Sequence, residues 1–459
     1  MLNRDGKQPI RAHQEEVYQT ILSALNKYDV VGLNAPPGWG KSYLARAWQR
    51  SIGYTDILTA SNVLVDQYAR DYPELNVVKG RTHYDTQAEY QRAKQLARDS
   101  EDSIFNPLSA LFTRIGHFGQ TRCIIVDEAH TLADMLRSSA TTSFNTSKSR
   151  IPQEVDSEFS LSKWAQERFA TLNEVIRRPY VTPEQLAEFE RVAAIYYSIV
   201  GHETENVFKV HREVRSVRGR RQETLKVDAV DCPAGLIQQV LRADKIILMS
   251  GTLTEDETRM LATGRSYTWL SRPYLAPAAN RPVFIQSVAQ ELRRDVPTLA
   301  AQVRRIYEAE GRRPTLVHVT YGDAAQYMQE LQDLNPITNG SANKYATEQQ
   351  FRANGGLWIA AGCAEGIDLA DDACRVLIIP SLMFPNKGDL HVQKRLGLPG
   401  GQRWYCLKTL ENTIQRLGRG LRHIGDQCNS YILDPAFPRL WGDYKNQFEP
   451  LAIVWGTTK

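Results

Sequence analysis

Ala35-Pro36-Pro37-Gly38-Trp39-Gly40-Lys41-Ser42 sets two glycines, a lysine and a hydroxyl at the spacing of a phosphate-binding loop, with alanine in place of the first glycine. Glycines let successive backbone N–H groups converge on phosphate oxygens, and a helix starting there adds its dipole. In such a loop Lys41 reaches the β- and γ-phosphates and the Ser42 hydroxyl ligates Mg²⁺. Trp39 is unusual there; its backbone can serve while the side chain points outward. Further on, Ile124-Ile125-Val126-Asp127-Glu128-Ala129-His130 is an apolar run ending in two adjacent acids. An acid at the carboxyl end of a strand is where an α/β sheet presents a Mg²⁺ partner, here Asp127, and Glu128 can then polarise the attacking water. The bland alternative, two surface acids opening a helix, loses its ground with a phosphate loop upstream. The chemistry implied is hydrolysis of the β–γ bond of a nucleoside triphosphate.

Such groups need parallel strands to hold them. Short apolar runs alternate with helical patterns, as in sheets built from βαβ units. The first set is Val30-Val31-Gly32-Leu33, Ile57-Leu58, Cys123 to Val126 and Ile246 to Met249. The second is Pro282 to Ile285, Leu316 to Val319, Leu357 to Ala360, Val376 to Ile379 and Tyr431 to Leu433. Between them Arg272-Pro273-Tyr274-Leu275-Ala276-Pro277 reads as a linker. Two α/β domains are expected, over 1–140 with 228–272 and over 273–459, with an insertion at 141–227. In that insertion Thr182-Pro183-Glu184-Gln185 is a helix-capping box, and the alternating stretches around Arg218-Gly219-Arg220-Arg221 read as a hairpin. From Lys209 to Lys226 there are seven basic residues against two glutamates, an excess of +5 that suits either a solvated tip or a phosphate-contacting surface.

The chain has 459 residues, 42% hydrophobic and 24% charged, which excludes global disorder. Its net charge of +4 permits a nucleic-acid partner without demanding one. No apolar run is long enough to span a membrane, and the N-terminus lacks a signal-peptide core. The six cysteines include no pair at Cys-x-x-Cys spacing, so neither zinc nor a disulfide framework is expected; reduced thiols in a cytoplasmic protein are.

Asp127-Glu128-Ala129-His130 after a phosphate loop resembles the superfamily 2 helicases and translocases. Ser250-Gly251-Thr252-Leu253, Ala364-Glu365-Gly366-Ile367-Asp368-Leu369 and Gln415-Arg416-Leu417-Gly418-Arg419-Gly420-Leu421-Arg422 are similar to motifs of the XPD/DinG branch. Leu58-Thr59-Ala60-Ser61 with Gln67 resembles an early nucleic-acid-contacting motif, and Arg11 with Gln14 sits where the family places an adenine-recognising glutamine. The resemblance covers residues 11 to 423 in the family's order, apart from an insert of roughly 141 to 205. It implies two RecA-like domains with ATP and Mg²⁺ in the cleft, an arch-like insertion, and 5′→3′ movement on single-stranded or forked DNA. Gln415, Arg419 and Arg422 would enter the cleft from the second domain. Asp368, counted with the nucleotide site, and Glu365 would couple domain closure to the strand, and Gly366, His130, Ser250 and Thr252 would share in that coupling. Thr59, Arg81 and Thr320 are candidates for strand contacts or for structural roles alone; Arg218, Arg220 and Arg221 would add contacts from the hairpin.

One departure stands out. Lys79-Gly80-Arg81-Thr82-His83-Tyr84-Asp85 resembles the segment that in the family leads into a four-cysteine iron–sulfur site, but Asp85 replaces the first ligand and no cysteine lies between residues 42 and 123. Thiolates are the usual ligands of such clusters, so no cluster is expected, and residues 86 to 122 are expected to form a compact helical piece. An ATP-dependent DNA helicase or translocase leads. A nucleic-acid-binding clamp switched by nucleotide and an RNA helicase are the alternatives. Pathway, oligomeric state and protein partners are not written in the sequence.

Overall fold

A computed structural model describes residues 11–59, 62–80, 83–106, 122–178, 181–199, 207–217, 220–231, 234–340, 343–362, 367, 369, 371–421 and 423–455. The first apolar runs become strands β1 (Val30–Asn34), β2 (Thr55–Thr59), β3 (Asn76–Val78), β4 (Asp102–Phe105) and β5 (Cys123–Asp127). The chain then leaves the sheet for β6 (Thr142–Asn145), the helices Glu158–Val175 and Pro183–Ile199, and the long pair β7 (Phe208–Val217) and β8 (Arg220–Ala229). It returns as β9 (Lys245–Ser250) and β10 (Tyr267–Ser271). The resulting seven-stranded sheet has the order β10-β1-β9-β5-β2-β4-β3, and its pairings are parallel.

The central strands are apolar on both faces because helices cover both. Successive residues therefore go to two separate cores. Val30, Leu58, Ile124, Ile246 and Leu248 pack on one side, and Val31, Leu33, Ile57, Ile125 and Ile247 on the other. The first of these cores continues without a break into Phe144, Trp164, Phe189 and Leu225 of the insertion. That insertion is anchored by shared apolar burial, the non-directional force that holds most domain interfaces.

The second half repeats the plan with β11 (Pro282–Ile285), β12 (Thr315–Val319), β13 (Ile337–Thr338), β14 (Leu357–Ala361), β15 (Val376–Ile379), β16 (Asn429–Ile432) and β17 (Ala452–Trp455). Their order is β13-β14-β12-β15-β16-β11-β17, again with parallel pairings. Leu316, Trp358 and Leu377 fill one face, and Val317, Ile359 and Ile378 the other. The expected α/β class with two parallel sheets is what the chain adopts.

Within the insertion, β8 pairs antiparallel with both β6 and β7, so the expected hairpin is present with Val217 opposite Arg220. The capping box also forms: Gln185 N donates to Thr182 Oγ1 at 3.3 Å and Thr182 N to Gln185 Oε1 at 2.9 Å. Of residues 86 to 122, expected as a compact helical piece, 107–121 lie outside the described residues, and the described part is not all helical. The helix Gln87–Asp99 ends after three turns, and Asp102–Phe105 enters the sheet as β4 between β2 and β3. Ser103, Ile104 and Phe105 are buried there, while the polar Asp102 disguises the run as loop. Among the described residues no helix is long and apolar enough to cross a membrane.

Candidate active site in the interdomain cleft

β1 delivers the phosphate loop. Gly38 and Gly40 have φ of 91° and 68°, a region costly for residues with a Cβ, and the helix Lys41–Ile52 starts directly after them. Lys41 Nζ donates to Ala35 O at 3.0 Å, so the ammonium lies folded over the loop where phosphate oxygens would compete for it. Trp39 does not point outward. Its side chain is buried, its Nε1 donates to Pro273 O at 2.8 Å, and its ring meets His13 edge-on. Indole's large apolar area gains more inside than on the surface, and the linker carbonyl satisfies its one donor. Gln14 also departs from an open adenine contact. It is buried against the loop, with Nε2 donating to Trp39 O at 3.0 Å and Oε1 accepting from Arg11 N at 3.1 Å.

β5 ends in the acid pair. Asp127 Oδ2 accepts from Tyr68 Oη at 3.0 Å and lies 3.4 Å from Ser42 Oγ. Burial, and then the neighbouring Glu128 charge, push its carboxyl above the ordinary range, against the pull of Lys41. A hydroxyl beside a buried acid pair beneath a phosphate loop is a donor set that fits Mg²⁺ shared with a triphosphate. Glu128 follows at φ 54° and ψ 46°, left-handed backbone that costs a non-glycine residue about 1–3 kcal/mol. That turn lifts its side chain off the strand direction. Ser250 Oγ, at the end of β9, donates to Glu128 Oε2 at 3.2 Å and lies 2.8 Å from His130 Nδ1.

The second domain closes the cleft. In the helix Gly401–Leu417, Gln415 Nε2 donates to Thr252 Oγ1 at 3.1 Å and its Oε1 accepts from Arg419 at 3.4 Å. Thr252 N in turn donates to Ser250 Oγ at 3.2 Å, so one hydrogen-bonded chain runs from Glu128 to Arg419 across both domains. Gly418 packs directly on the phosphate loop: a methyl group there would lie 2.5 Å from Pro37 Cγ. Arg422, Glu365, Gly366 and Asp368 lie outside the described residues, as do Arg81 and Arg218.

The proposed strand contacts fare differently. Thr59 is fully buried beside Asp127 in the sheet, with no hydrogen-bond partner for its Oγ1, and presents no surface to a strand. Its apolar neighbours on β2 draw it inside, which the motif alone could not reveal. Thr320 caps the helix Tyr321–Glu330, accepting from Asp323 N at 3.2 Å and donating to Asp323 Oδ2 at 2.7 Å. On the hairpin, Arg212 pairs with Glu223 at 3.1 Å, and Lys226 pairs with Glu213. The base of the hairpin thus neutralises itself, and the excess charge moves toward the tip, where Arg221 is exposed opposite Ser216, next to Arg220.

Two residues of the site escaped sequence reasoning. Tyr68 lies next to Gln67 and, fully buried, ties the helix Asn62–Asp71 to Asp127. Lys408 sits two turns before Gln415 on the same helix, a spacing that puts both on one face.

A model of the helicase C-terminal domain family matches residues 318–449. A stretch of 93 residues, 16% of this chain, is 30% identical to the ATP-dependent DNA helicase CHL1 of Vanderwaltozyma polyspora, and covers 11% of that protein. Over 140 residues, 26% of this chain, identity to CHL1 of Saccharomyces cerevisiae (strain YJM789) is 27%, covering 16% of that protein. The chain thus spans a small part of these relatives' length. Over nearly its whole length it is similar to solved structures. S. tokodaii Xpd4 aligns with TM-score 0.60 and 16% identity over 97% of this chain and all of that one. XPD_APO aligns with TM-score 0.58 and 16% identity over 96% of this chain. At such identities the likeness is one of fold.

Proposed function

We propose that this chain is an XPD/DinG-like member of superfamily 2 and that it couples ATP hydrolysis to translocation on single-stranded DNA, 5′→3′, with separation of duplex ahead of it. The matched helicase C-terminal domain and the likeness of fold support the reading. The observation that carries the proposal is the hydrogen-bonded chain from Glu128 through Ser250 and Thr252 to Gln415 and Arg419. A module that only binds nucleotide has no need to join an acid in one domain to an arginine in the other.

Lys41 and the loop amides hold the triphosphate, and Ser42 with Asp127 holds Mg²⁺, which when bound neutralises charge on the β- and γ-phosphates. Glu128 accepts a hydrogen bond from the attacking water, and the Ser250 hydroxyl fixes the carboxylate's direction. Arg419, brought in by its helix, meets the charge that develops on the transferred phosphoryl oxygens; Arg422 is assigned the same task. Hydrolysis followed by release of phosphate takes away the γ-phosphoryl charge that draws Arg419 to the first domain. Cleft opening then follows from differential affinity of the open and closed states for the two nucleotides. Strand contacts on both domains convert that cycle into steps, and their phosphate character gives weak sequence preference.

Strand-displacement assays on duplexes with a single 5′ or 3′ tail, in DNA and RNA, with ATP hydrolysis followed in parallel, test the proposal. Displacement from 5′-tailed DNA with DNA-stimulated hydrolysis is expected. Displacement only from 3′ tails overturns the direction, preference for RNA overturns the substrate, and binding without stimulated hydrolysis leaves a clamp.

A further inference from the structure

We propose that Lys408 is a positioning residue that transmits domain closure to the loop carrying Glu128; the inference rests on the hydrolytic reading above and deepens it. Lys408 Nζ donates to Glu257 Oε1 at 2.5 Å, lies 2.9 Å from Glu411 Oε2, and reaches His130 O at 3.4 Å. Lys408 and Glu411 belong to the second domain, Glu257 and His130 to the first. One ammonium therefore spans the interface and touches two different segments of the first domain.

Both segments belong to the hydrolytic apparatus. His130 lies within the turn Ala129–Thr131 that follows Glu128, and its ring nitrogen shares the Ser250 hydroxyl with Glu128. Glu257 opens the helix Glu255–Ala262, where its other oxygen, Oε2, accepts from Thr254 N at 3.1 Å and so clamps the stretch Ser250-Gly251-Thr252-Leu253-Thr254. Gln415, seven residues beyond Lys408 on the same helix face, binds Thr252 in that stretch. A third contact, Arg403 to Asp256 at 2.9 Å, begins the same seam at the surface. The helix Gly401–Leu417 thus grips the Ser250–Glu257 segment along its length, and Lys408 alone among these three also holds the backbone of the acid loop.

The surroundings make the ammonium's role more than charge pairing. Glu257 and Glu411 are both buried, so the two carboxylates face one cation in a site that water does not reach freely. Buried charged pairs contribute little net stability but fix a geometry, since only one arrangement satisfies every partner. When the domains separate, Lys408 leaves with its helix, and the His130 carbonyl and Glu257 lose their common donor. The Glu128 turn, already held in left-handed backbone, then keeps its bonds to Ser250 but loses the brace that the second domain supplies through the His130 carbonyl. Hydrolysis is thereby confined to the closed state.

The test compares wild type, Lys408→Met, and Lys408→Met combined with Glu411→Gln. The second substitution removes one of the two carboxylates that the first leaves without a cation, Glu257 keeping its bond from Thr254 N, and so separates stability from positioning. Three quantities are read: thermal midpoint, DNA-stimulated kcat with the affinity for a fluorescent ADP analogue, and hydrogen exchange of amides 128–131 with a non-hydrolysable ATP analogue. In the single variant kcat is expected to fall at least tenfold with ADP affinity changed less than threefold, and the amides are expected to lose nucleotide-dependent protection. The double variant is expected to recover part of the lost thermal midpoint but neither kcat nor protection. Recovery of kcat and protection together with the midpoint would reduce Lys408 to a neutralising charge and overturn the proposal, as would unchanged exchange in the single variant. A wild type that protects these amides on nucleotide binding yet never hydrolyses ATP would sink the helicase function while leaving the exchange comparison decisive for Lys408.

Discussion

The two parallel sheets have the same number of strands and the same double covering of helices, yet they carry their reactive groups differently. In the first sheet those groups sit at strand ends: Ala35 after β1, Asp127 at the end of β5, Ser250 at the end of β9. Neighbouring strands clamp them in register, so their spacing is fixed whether or not the cleft is closed. In the second sheet Lys408, Gln415 and Arg419 come from one helix and the turn beyond it, lying outside the sheet. A rigid helix moves them as a unit. On the proposed function one domain serves as a fixed cradle and the other as a movable cover, the pairing that a nucleotide-driven cycle needs.

The comparison breaks most visibly at the chemistry. Arg419→Ala should lower DNA-stimulated kcat by about 10³-fold or more, as expected for an arginine that meets transition-state charge. Glu128→Gln should cost roughly 10²–10⁴-fold while preserving ATP binding, because the amide keeps the shape and loses the acceptor. Lys41→Ala should instead weaken ATP binding itself. Single-turnover hydrolysis beside equilibrium binding separates these three; normal turnover in Glu128→Gln would refute its role.

Gly418→Ala sharpens the distinction between cradle and cover. Its new methyl group would meet Pro37 at 2.5 Å only when the domains are together. Overpacking of this kind costs about 1–3 kcal/mol, so turnover should fall about tenfold or more with ADP affinity of the cradle nearly intact. Equal losses in both would mean that the loop itself had been distorted.

A smaller effect should appear on acidification. His318 is buried in β12, and burial, then the Arg416 and Arg419 charges, hold its pKa well below the usual value. The unfolded chain takes up a proton below about pH 6.5 that the folded chain refuses, so this group's stability contribution is full above that pH and is lost as pH falls. Thermal midpoints from pH 7 to pH 5 should decline less steeply in His318→Leu than in wild type. Parallel slopes would exclude the histidine as the source.

The least effect is expected at the hairpin. Replacing Arg215, Arg218, Arg220 and Arg221 by alanine should flatten the salt dependence of single-stranded DNA binding, by about 0.7 in log–log slope for each phosphate that an arginine no longer neutralises. ATP hydrolysis at saturating DNA should hardly change. An unaltered slope would make the hairpin a solvated tip, and normal binding without strand separation would make it a wedge.

The sequence by itself determined the phosphate loop, the acid pair, the Gln415–Arg419 helix and the two-sheet architecture. Each depends on local spacing: glycines at a turn, acids at a strand's end, polar residues on one helical face, apolar runs of strand length. The short strands β3, β4 and β13 were not legible, since two to four residues with polar members carry no periodicity of their own and join a sheet only because a longer neighbour offers hydrogen bonds. Only the tertiary structure decided that Trp39 turns inward to Pro273, that Gln14 spends its amide on the loop, and that Thr59 is sealed beside Asp127. It also decided that Lys408 meets Glu257 and His130, partners more than a hundred residues away. Such contacts depend on how two independently folded sheets approach each other. That approach is set by the summed shape and charge of their facing surfaces, which no local stretch of sequence contains.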